Sequence, residues 1–202
     1  MKEILFATSN VSKVNRLYDK LMEKGITIKS LKDIDVNIEI DENGKTAIEN
    51  AIIKAKAYYE ATKMTTIAMD DTMYIVGIPE DKQPGVYVRR VNGRRLNDEE
   101  MIEYYTNLVK TYGTGGKLDT KWILGMALIK DGKVYTYEDI TSEYYLMDTP
   151  TKERRESYPL SSILFNKKAN KYDIYLTEED KKIGNADDHG FVDFIVTTLN
   201  DD

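Results

Sequence analysis

The chain has 202 residues, 41% hydrophobic and 32% charged, so it can bury a sizeable core and is too apolar to be disordered. Its net charge of -6 argues against unspecific binding to nucleic acid or to an anionic membrane surface. It has no cysteine, no signal-peptide pattern and no apolar run of transmembrane length. We therefore expect one globular, cytoplasmic domain over residues 1–202, with neither nucleic acid nor membrane as a partner.

The first predicted elements are a strand, a helix and a second strand. The apolar run from Ile4 to Ala7 is typical of a strand that is buried on both faces. Apolar residues at helical spacing follow from Val14 to Leu21, and Gly25 is placed to end that helix. Apolar and polar residues then alternate over 34–40, which predicts a half-exposed strand.

A helix and a buried strand come next. The helix is predicted to begin at Thr46 and to end near Lys63, with an apolar stripe along one face. The run Thr66–Met69 predicts a short strand that Asp70 and Asp71 end. The glycines and prolines of residues 77–87 predict a loop.

The second half predicts a mixture of helices and strands without strict alternation. In chain order these are a helix from Asn97 or Asp98 to Gly113, a strand over Trp122–Ile129, a turn at Asp131-Gly132, a strand over Val134–Met147, an exposed connection over 148–157 and a terminal helix over Phe191–Leu199. A mixed sheet in an α/β fold is the architecture that this order favours.

The segment Thr8-Ser9-Asn10, followed by Lys13, lies at the first strand-to-helix junction. A helix N-terminus presents unpaired N–H groups and the positive end of the helix dipole, which favour a bound phosphate. An ordinary helix cap followed by a solvated lysine explains the same residues.

Polar residues also interrupt the apolar pattern of the second predicted helix. Glu49 follows Thr46 at the spacing of a capping box, so a cap explains it without any ligand. Asn50 and Lys54 lie four residues apart on one face, where they serve a polar ligand or face water.

Asp70 and Asp71 are adjacent acids after a buried strand. Ligands of open α/β sheets bind at the carboxyl ends of strands, and two carboxylates there can hold a hard cation and a water molecule. A turn is the alternative, because aspartate is common in turns.

Two weaker candidates are an arginine cluster and the single histidine. Arg89, Arg90, Arg94 and Arg95 suit phosphate but equally decorate ordinary surfaces. His189 has no partner histidine at metal-ligand spacing and is more plausible as a group that stacks on a nucleobase or hydrogen-bonds to it.

Taken in order, four segments resemble the motifs of the inosine triphosphate pyrophosphatase (ITPase-like) family. The A-T-x-N-x-x-K motif appears as Ala7–Lys13, E-N-A-x-x-K-A as Glu49–Ala55, A-D-D-[ST]-G-L as Ala68–Met73 and P-G-x-Y-[SA]-A-R as Pro84–Arg90. The resemblance implies an elongated mixed sheet with flanking helices in two lobes, usually as a homodimer. It also implies hydrolysis of nucleoside triphosphates, between the α and β phosphates, to monophosphate and pyrophosphate.

The resemblance also implies roles for particular residues. Mg²⁺ would be held by Glu49, Asp70 and Asp71, and Asp71 would orient or deprotonate the attacking water. The triphosphate would be held by Lys13, Lys54 and the loop of Thr8, Ser9 and Asn10, whereas Arg90, Phe165 and His189 would contact the rest of the substrate.

The second half departs from the family motifs on the side of base recognition. In the G-F-G-Y-D-P-x-F motif, Phe165 aligns with the last aromatic residue, but Ser161 or Ser162 replaces the aspartate. In K-N-x-x-S-H-R the chain keeps the asparagine and histidine, and the changed positions are Gly184, Asp188 and Gly190. The expected substrates are purine nucleotides of the inosine, xanthosine or deoxy type, with a relaxed or different base preference as a live alternative.

Two further hypotheses stand beside a nucleotide-cleansing pyrophosphatase. A nucleotide-binding or sensing protein on the same fold would explain the eroded second half. The Maf-like pyrophosphatases have a similar architecture, but the P-G-x-Y and E-N-A segments point away from them.

Overall fold

The computed structural model describes residues 2–34, 36, 38–156, 158–182, 188 and 190–201, with residues 12 and 182 described by their backbone alone. The chain divides into two compact units. The first comprises Met1–Asp71, Leu124–Asp139 and Asp188–Asp202, and the second comprises Thr72–Ile123 and Ile140–Asp187. No helix in the described part of the chain is long and apolar enough to cross a membrane.

The helices and strands have the following bounds. The helices are α1 (Val11–Glu23), α2 (Ala47–Thr62), α3 (Asp98–Tyr112), α4 (Glu178–Lys182) and α5 (Phe191–Asn200). The strands are β1 (Lys2–Phe6), β2 (Ile26–Lys29), β3 (Thr66–Ile75), β4 (Arg90–Val91), β5 (Arg94–Arg95), β6 (Lys117–Lys130), β7 (Lys133–Thr141), β8 (Tyr144–Met147), β9 (Leu164–Asn166) and β10 (Lys171–Tyr172).

The first unit is built around β1, which pairs in parallel with both β2 and β3. Residues 4–7 are completely buried, as the apolar run predicted. The small and aromatic residues on the inner face of α2 pack against β1 and β3 in a cluster that includes Leu5, Ala51, Tyr58 and Ala68. The helix is therefore held directly over the sheet.

The second unit is mainly antiparallel. In it β8 pairs with both β6 and β9, and β9 pairs with β10. The helix α3 begins at the predicted cap, where Asn97 and Glu100 form a capping box, and ends at Gly113.

Eight strands form one mixed sheet in the order β10-β9-β8-β6-β3-β1-β2, with β7 paired to β6. Parallel and antiparallel pairs both occur, and helices flank the sheet. The predicted mixed α/β architecture is therefore confirmed.

Three predicted elements need correction. The described residues of 34–40 form no strand, although their apolar side chains pack against the core of the first unit. The strand β3 does not end at Asp70 and Asp71 but continues to Ile75, because residues 72, 73 and 75 are again buried. The predicted strand over Val134–Met147 is two strands, β7 and β8, and β2 was missed.

Candidate functional site

The loop between β1 and α1 brings the predicted phosphate-binding residues together. The backbone N–H of Asn10 donates to Thr8 Oγ1 (3.1 Å), and that of Lys13 donates to the carbonyl oxygen of Asn10 (3.1 Å). Ser9 is exposed. The first turn of α1 contains no acidic residue, so the positive end of the helix dipole is not compensated there.

An ion pair joins this helix to β3. Lys13 Nζ lies 2.9 Å from Asp71 Oδ2, and the two side chains are only 13% and 27% exposed. The other carboxylate oxygen, Oδ1, is buried and accepts no hydrogen bond from any described residue. Oδ2 of Asp71 is therefore paired with the lysine, whereas Oδ1 can still accept a hydrogen bond or a ligand.

The two adjacent aspartates have opposite pKa shifts. Burial raises the pKa of Asp70, and the nearby lysines and the Asn50 amide offset this effect only in part. Burial acts in the same direction on Asp71, but Lys13, helped by Arg16 and Lys54, outweighs it and lowers the pKa of Asp71. Asp71 is therefore firmly ionised at neutral pH.

Asp70 accepts a hydrogen bond from α2. Asn50 Nδ2 donates to Asp70 Oδ2 at 2.8 Å, and Asn50 Oδ1 accepts from the backbone N–H of Gly44 at 2.8 Å. Asn50 is only 3% exposed. Its place in the family motif marked Asn50 in the sequence, but helical spacing alone could not tell a buried bond from a solvated side chain.

Glu49, the third predicted metal ligand, serves as a cap in this structure. Thr46 Oγ1 accepts from the Glu49 N–H (3.1 Å), and Glu49 Oε2 accepts from the backbone N–H of Lys45 (2.6 Å). No group of three or more Asp, Glu, His or Cys residues that could hold a metal ion occurs in the described part of the chain. Glu49 is thus not assembled with Asp70 and Asp71 into a ligand set.

Lys54 is paired with an acid that the sequence did not single out. Lys54 Nζ lies 2.9 Å from Glu42 Oε2, and Lys54 is only 13% exposed. Its ammonium also donates to the carbonyl oxygen of Met69 at 3.4 Å. No role was predicted for Glu42 from the sequence, and its negative charge is the only feature that could have marked it.

Close backbone contacts fix the start of α2. A Cβ on Gly44 would lie 2.6 Å from Asn50 Oδ1, and a Cβ on Gly125 would lie 2.8 Å from the backbone nitrogen of Ile48. Both positions therefore require glycine, because the loop before α2 and the strand β6 each approach the start of the helix this closely.

The remaining predicted substrate residues belong to the second unit or are not described. Arg90 is exposed in the hairpin β4–β5, and Phe165 packs edge-to-face on Tyr172 with ring centroids 5.4 Å apart. The hydroxyls of Ser161 and Ser162 donate to the carbonyl oxygens of Tyr158 and Pro159, each at 2.8 Å. The serines are therefore used locally.

Beside His189, which lies outside the described residues, Gly190 has a φ of +78°. A Cβ on Gly190 would collide with the hydroxyl of Tyr137, whose ring stacks on Phe194 with centroids 5.4 Å apart. A larger side chain at the position where the family motif has arginine would therefore need a strained backbone and a shift of the Tyr137 ring.

The fold and the cluster define a class: a mixed α/β protein in which Lys13, on the first turn of α1, pairs with an aspartate of β3. Residues 4–152 match the Ham1 family, so the chain belongs to this family, which confirms the resemblance to ITPase-like proteins.

Relatives and solved structures agree with this assignment. The chain is 39% identical over 98 residues to a dITP/XTP pyrophosphatase of Leptospira interrogans, a match spanning 48% of this chain and 49% of that protein. It is 32% identical over 143 residues to one of Clostridium tetani, spanning 65% and 64%. The chain thus spans about half the length of most such relatives. A HAM1 protein of Coxiella burnetii has the same fold, with a TM-score of 0.76, 22% identity and 98% coverage of both chains.

Proposed function

We propose that this chain hydrolyses nucleoside triphosphates to a monophosphate and pyrophosphate, and so removes non-standard purine nucleotides of the inosine, xanthosine or deoxy type. The observation that carries the proposal is the Lys13–Asp71 pair, whose carboxylate has a second, unpartnered oxygen at the phosphate-binding end of α1. The relatives named dITP/XTP pyrophosphatases support the reaction class.

The cationic groups would hold the triphosphate. Lys13 and Lys54 each form an ion pair with a carboxylate. A polyphosphate can displace the carboxylate from either ammonium because it carries more negative charge. The uncompensated N-terminus of α1 adds backbone N–H donors. These groups would neutralise the charge that shifts towards the leaving pyrophosphate.

The acidic groups fit Mg²⁺. The buried, unpartnered Oδ1 of Asp71 and the neighbouring carboxylate of Asp70 are the hard oxygen donors that Mg²⁺ prefers. When bound, Mg²⁺ supplies charge neutralisation on the phosphate oxygens. Glu49 would join these ligands only after leaving the Lys45 N–H, so Asp70 and Asp71 are the first candidates.

Asp71 would also act on water. Because Lys13 lowers its pKa, its carboxylate is ionised at neutral pH and can accept a hydrogen bond from an attacking water molecule. This favours orientation of the water as its main role, since a strongly ionised carboxylate is a weak base.

A nucleotide-binding or sensing protein with little turnover is the second candidate. The local use of the Ser161 and Ser162 hydroxyls and the crowded position at Gly190 favour altered base recognition. These features leave the lysine–aspartate cluster intact, which is why hydrolysis remains the first proposal. The homodimer and the cytoplasmic location stay predictions from the sequence.

The test is a panel of standard and deaminated ribo- and deoxynucleoside triphosphates, assayed with Mg²⁺ and with a chelator. Products are separated so that monophosphate plus pyrophosphate is distinguished from diphosphate plus phosphate. Asp71→Asn should abolish pyrophosphate release, whereas Asp119→Asn, at a lysine-paired aspartate of the second unit, should not. Nucleotide binding without turnover on every substrate would favour the sensing protein.

A further inference from the structure

Asn50 is the most deeply buried polar side chain of α2, and it uses both ends of its amide. Oδ1 accepts from the backbone N–H of Gly44 and Nδ2 donates to Asp70 Oδ2, both at 2.8 Å. A backbone N–H can only donate, so it must face the amide oxygen. The amide then has a single orientation, which points its NH₂ group at Asp70.

The placement of Asn50 is fixed from two sides. Gly44 approaches so closely that a Cβ there would lie 2.6 Å from Asn50 Oδ1, and Gly125 approaches the backbone of α2 at Ile48. Neither the helix nor the loop before it can shift without losing these contacts. A rigidly held donor of this kind restricts the rotation of the carboxylate it contacts.

Asn50 contacts one oxygen of the Asp70 carboxylate. Its Nδ2 donates to Asp70 Oδ2, and this bond does not engage Oδ1. The bond therefore selects which oxygen remains available for a cation or a water molecule. The two oxygens of the neighbouring Asp71 differ in the same way. Oδ2 pairs with Lys13, and Oδ1 has no hydrogen-bond partner among the described residues.

We infer that Asn50 is a positioning residue, which holds Asp70 so that its Oδ1 faces the metal and triphosphate. This role rests on the proposed function, since it concerns the same site.

The decisive variant is Asn50→Asp, which keeps the shape and the acceptor for Gly44 but replaces the donor to Asp70 with a second carboxylate oxygen. We expect kcat to fall by about 10- to 100-fold, with a smaller change in KM. The melting temperature should fall by roughly 4 °C or more, because two carboxylates then face each other. Asn50→Ala, which removes the donor without adding charge, should also lower kcat.

A double variant separates positioning from folding. In an Asp70→Asn background the amide at position 70 can donate to the carboxylate introduced at position 50, so Asn50→Asp should cost little melting temperature there while kcat stays lost. A control is Asn166→Asp in the second unit: Asn166 is also 3% exposed, its Oδ1 accepts from the backbone N–H groups of Lys168 and Ala169, and its amide also hydrogen-bonds to Tyr144. The substitution therefore also removes a buried amide donor, but not one that contacts Asp70. It should leave kcat unchanged.

Three outcomes decide the matter. A fall of kcat in Asn50→Asp, with rescue of melting temperature alone by Asp70→Asn, supports the inference. A folded Asn50→Asp protein with full kcat overturns it, as does an equal cost of Asn50→Asp in both backgrounds. If the wild type releases no pyrophosphate, the proposed function fails, and calorimetric Mn²⁺ binding then decides. Asn50→Ala, which adds no carboxylate, must weaken it, and unchanged binding overturns the inference.

Discussion

Lys13 Nζ contacts one oxygen of the Asp71 carboxylate at 2.9 Å, whereas the other oxygen is buried without a hydrogen-bond partner among the described residues. A purely structural ion pair would be expected to satisfy both oxygens, because a buried unpaired acceptor costs about 1–3 kcal/mol. The proposed ligand site accounts for this unpartnered oxygen, and the pair also contributes to stability. Substitutions at and around it should then change both the stability of the fold and the binding of a polyanion.

Replacing Lys13 should cost both stability and phosphate affinity. Lys13→Met leaves the buried Asp71 carboxylate without its main counter-charge, so we expect the free energy of unfolding to fall by about 1–2 kcal/mol, less than for a fully buried pair. Urea unfolding at pH 7 measures the loss. Binding of tripolyphosphate, followed by calorimetry, should weaken by at least about tenfold, which corresponds to 1.4 kcal/mol.

The control for this substitution is Lys20→Met. Lys20 pairs with Asp188 at the same 2.9 Å, but the lysine is 31% exposed rather than 13%. It should lose less stability and no tripolyphosphate affinity. Equal losses in the two variants would contradict a special role for Lys13.

Replacing Asp70 and Asp71 by asparagine should change the melting temperature in opposite directions. Asp70 is ionised against an unfavourable burial effect, so Asp70→Asn should raise the melting temperature at pH 7 in metal-free buffer. Asp71→Asn should lower it, because it removes the partner of Lys13. Both variants should lose pyrophosphate release. A stability gain combined with lost activity at Asp70 is typical of a functional rather than a structural acid.

The pH dependence of these effects has a definite sign. Because the folded-state pKa of Asp71 is below the ordinary value of 3.8, its stabilisation is present above that value and is lost as the pH falls through the lowered pKa. Because the folded-state pKa of Asp70 is raised, its contribution favours folding only below 3.8 and is lost as the pH rises through the raised pKa. Thermal unfolding of wild type and Asp70→Asn between pH 3 and 7 should therefore give curves that converge at the acid end.

Strands and helix caps that depend on residues close together in the chain were predictable from the sequence. The buried strand at Ile4–Ala7 and the caps at Thr46 and Asn97 follow from apolar runs and capping residues. Residues 34–40 alternate in sequence between apolar and polar side chains, but their described members form no strand, because sequence periodicity carries no information about which segments pair in a sheet.

At the site, motif order located Lys54 and Asp70 but not the contacts that they make. Glu42 and Asn50 act through contacts with residues twelve and twenty positions away, to Lys54 and Asp70, which only the folded chain establishes. Glu49 fits both a cap and a metal ligand by sequence, and the structure has it in the cap.

Glu42 should compete with phosphate for Lys54. Glu42→Gln removes the carboxylate that lies 2.9 Å from the Lys54 ammonium, so metal-free tripolyphosphate should bind more tightly, by roughly threefold to tenfold at low salt. Lys54→Met should weaken the same binding. Calorimetry with a chelator present isolates this effect from any metal, and Glu49→Gln, which alters a cap instead, should leave the affinity unchanged. Weaker binding in Glu42→Gln would refute the competition.

The family arginine cannot be restored at position 190 by one substitution. Gly190 has a φ of +78°, and a Cβ there would meet the Tyr137 hydroxyl, so Gly190→Arg should lower the free energy of unfolding by about 2–4 kcal/mol. Gly25→Ala is the matched control for backbone strain, because Gly25 has a φ of +74° with nothing within 4 Å of its Cβ position, and it should cost only about 1 kcal/mol. In a Tyr137→Ala background, urea unfolding should show a free-energy loss for Gly190→Arg that is close to the loss for Gly25→Ala. If Gly190→Arg is as stable as Gly25→Ala in the presence of Tyr137, the collision does not determine which residue this position accepts.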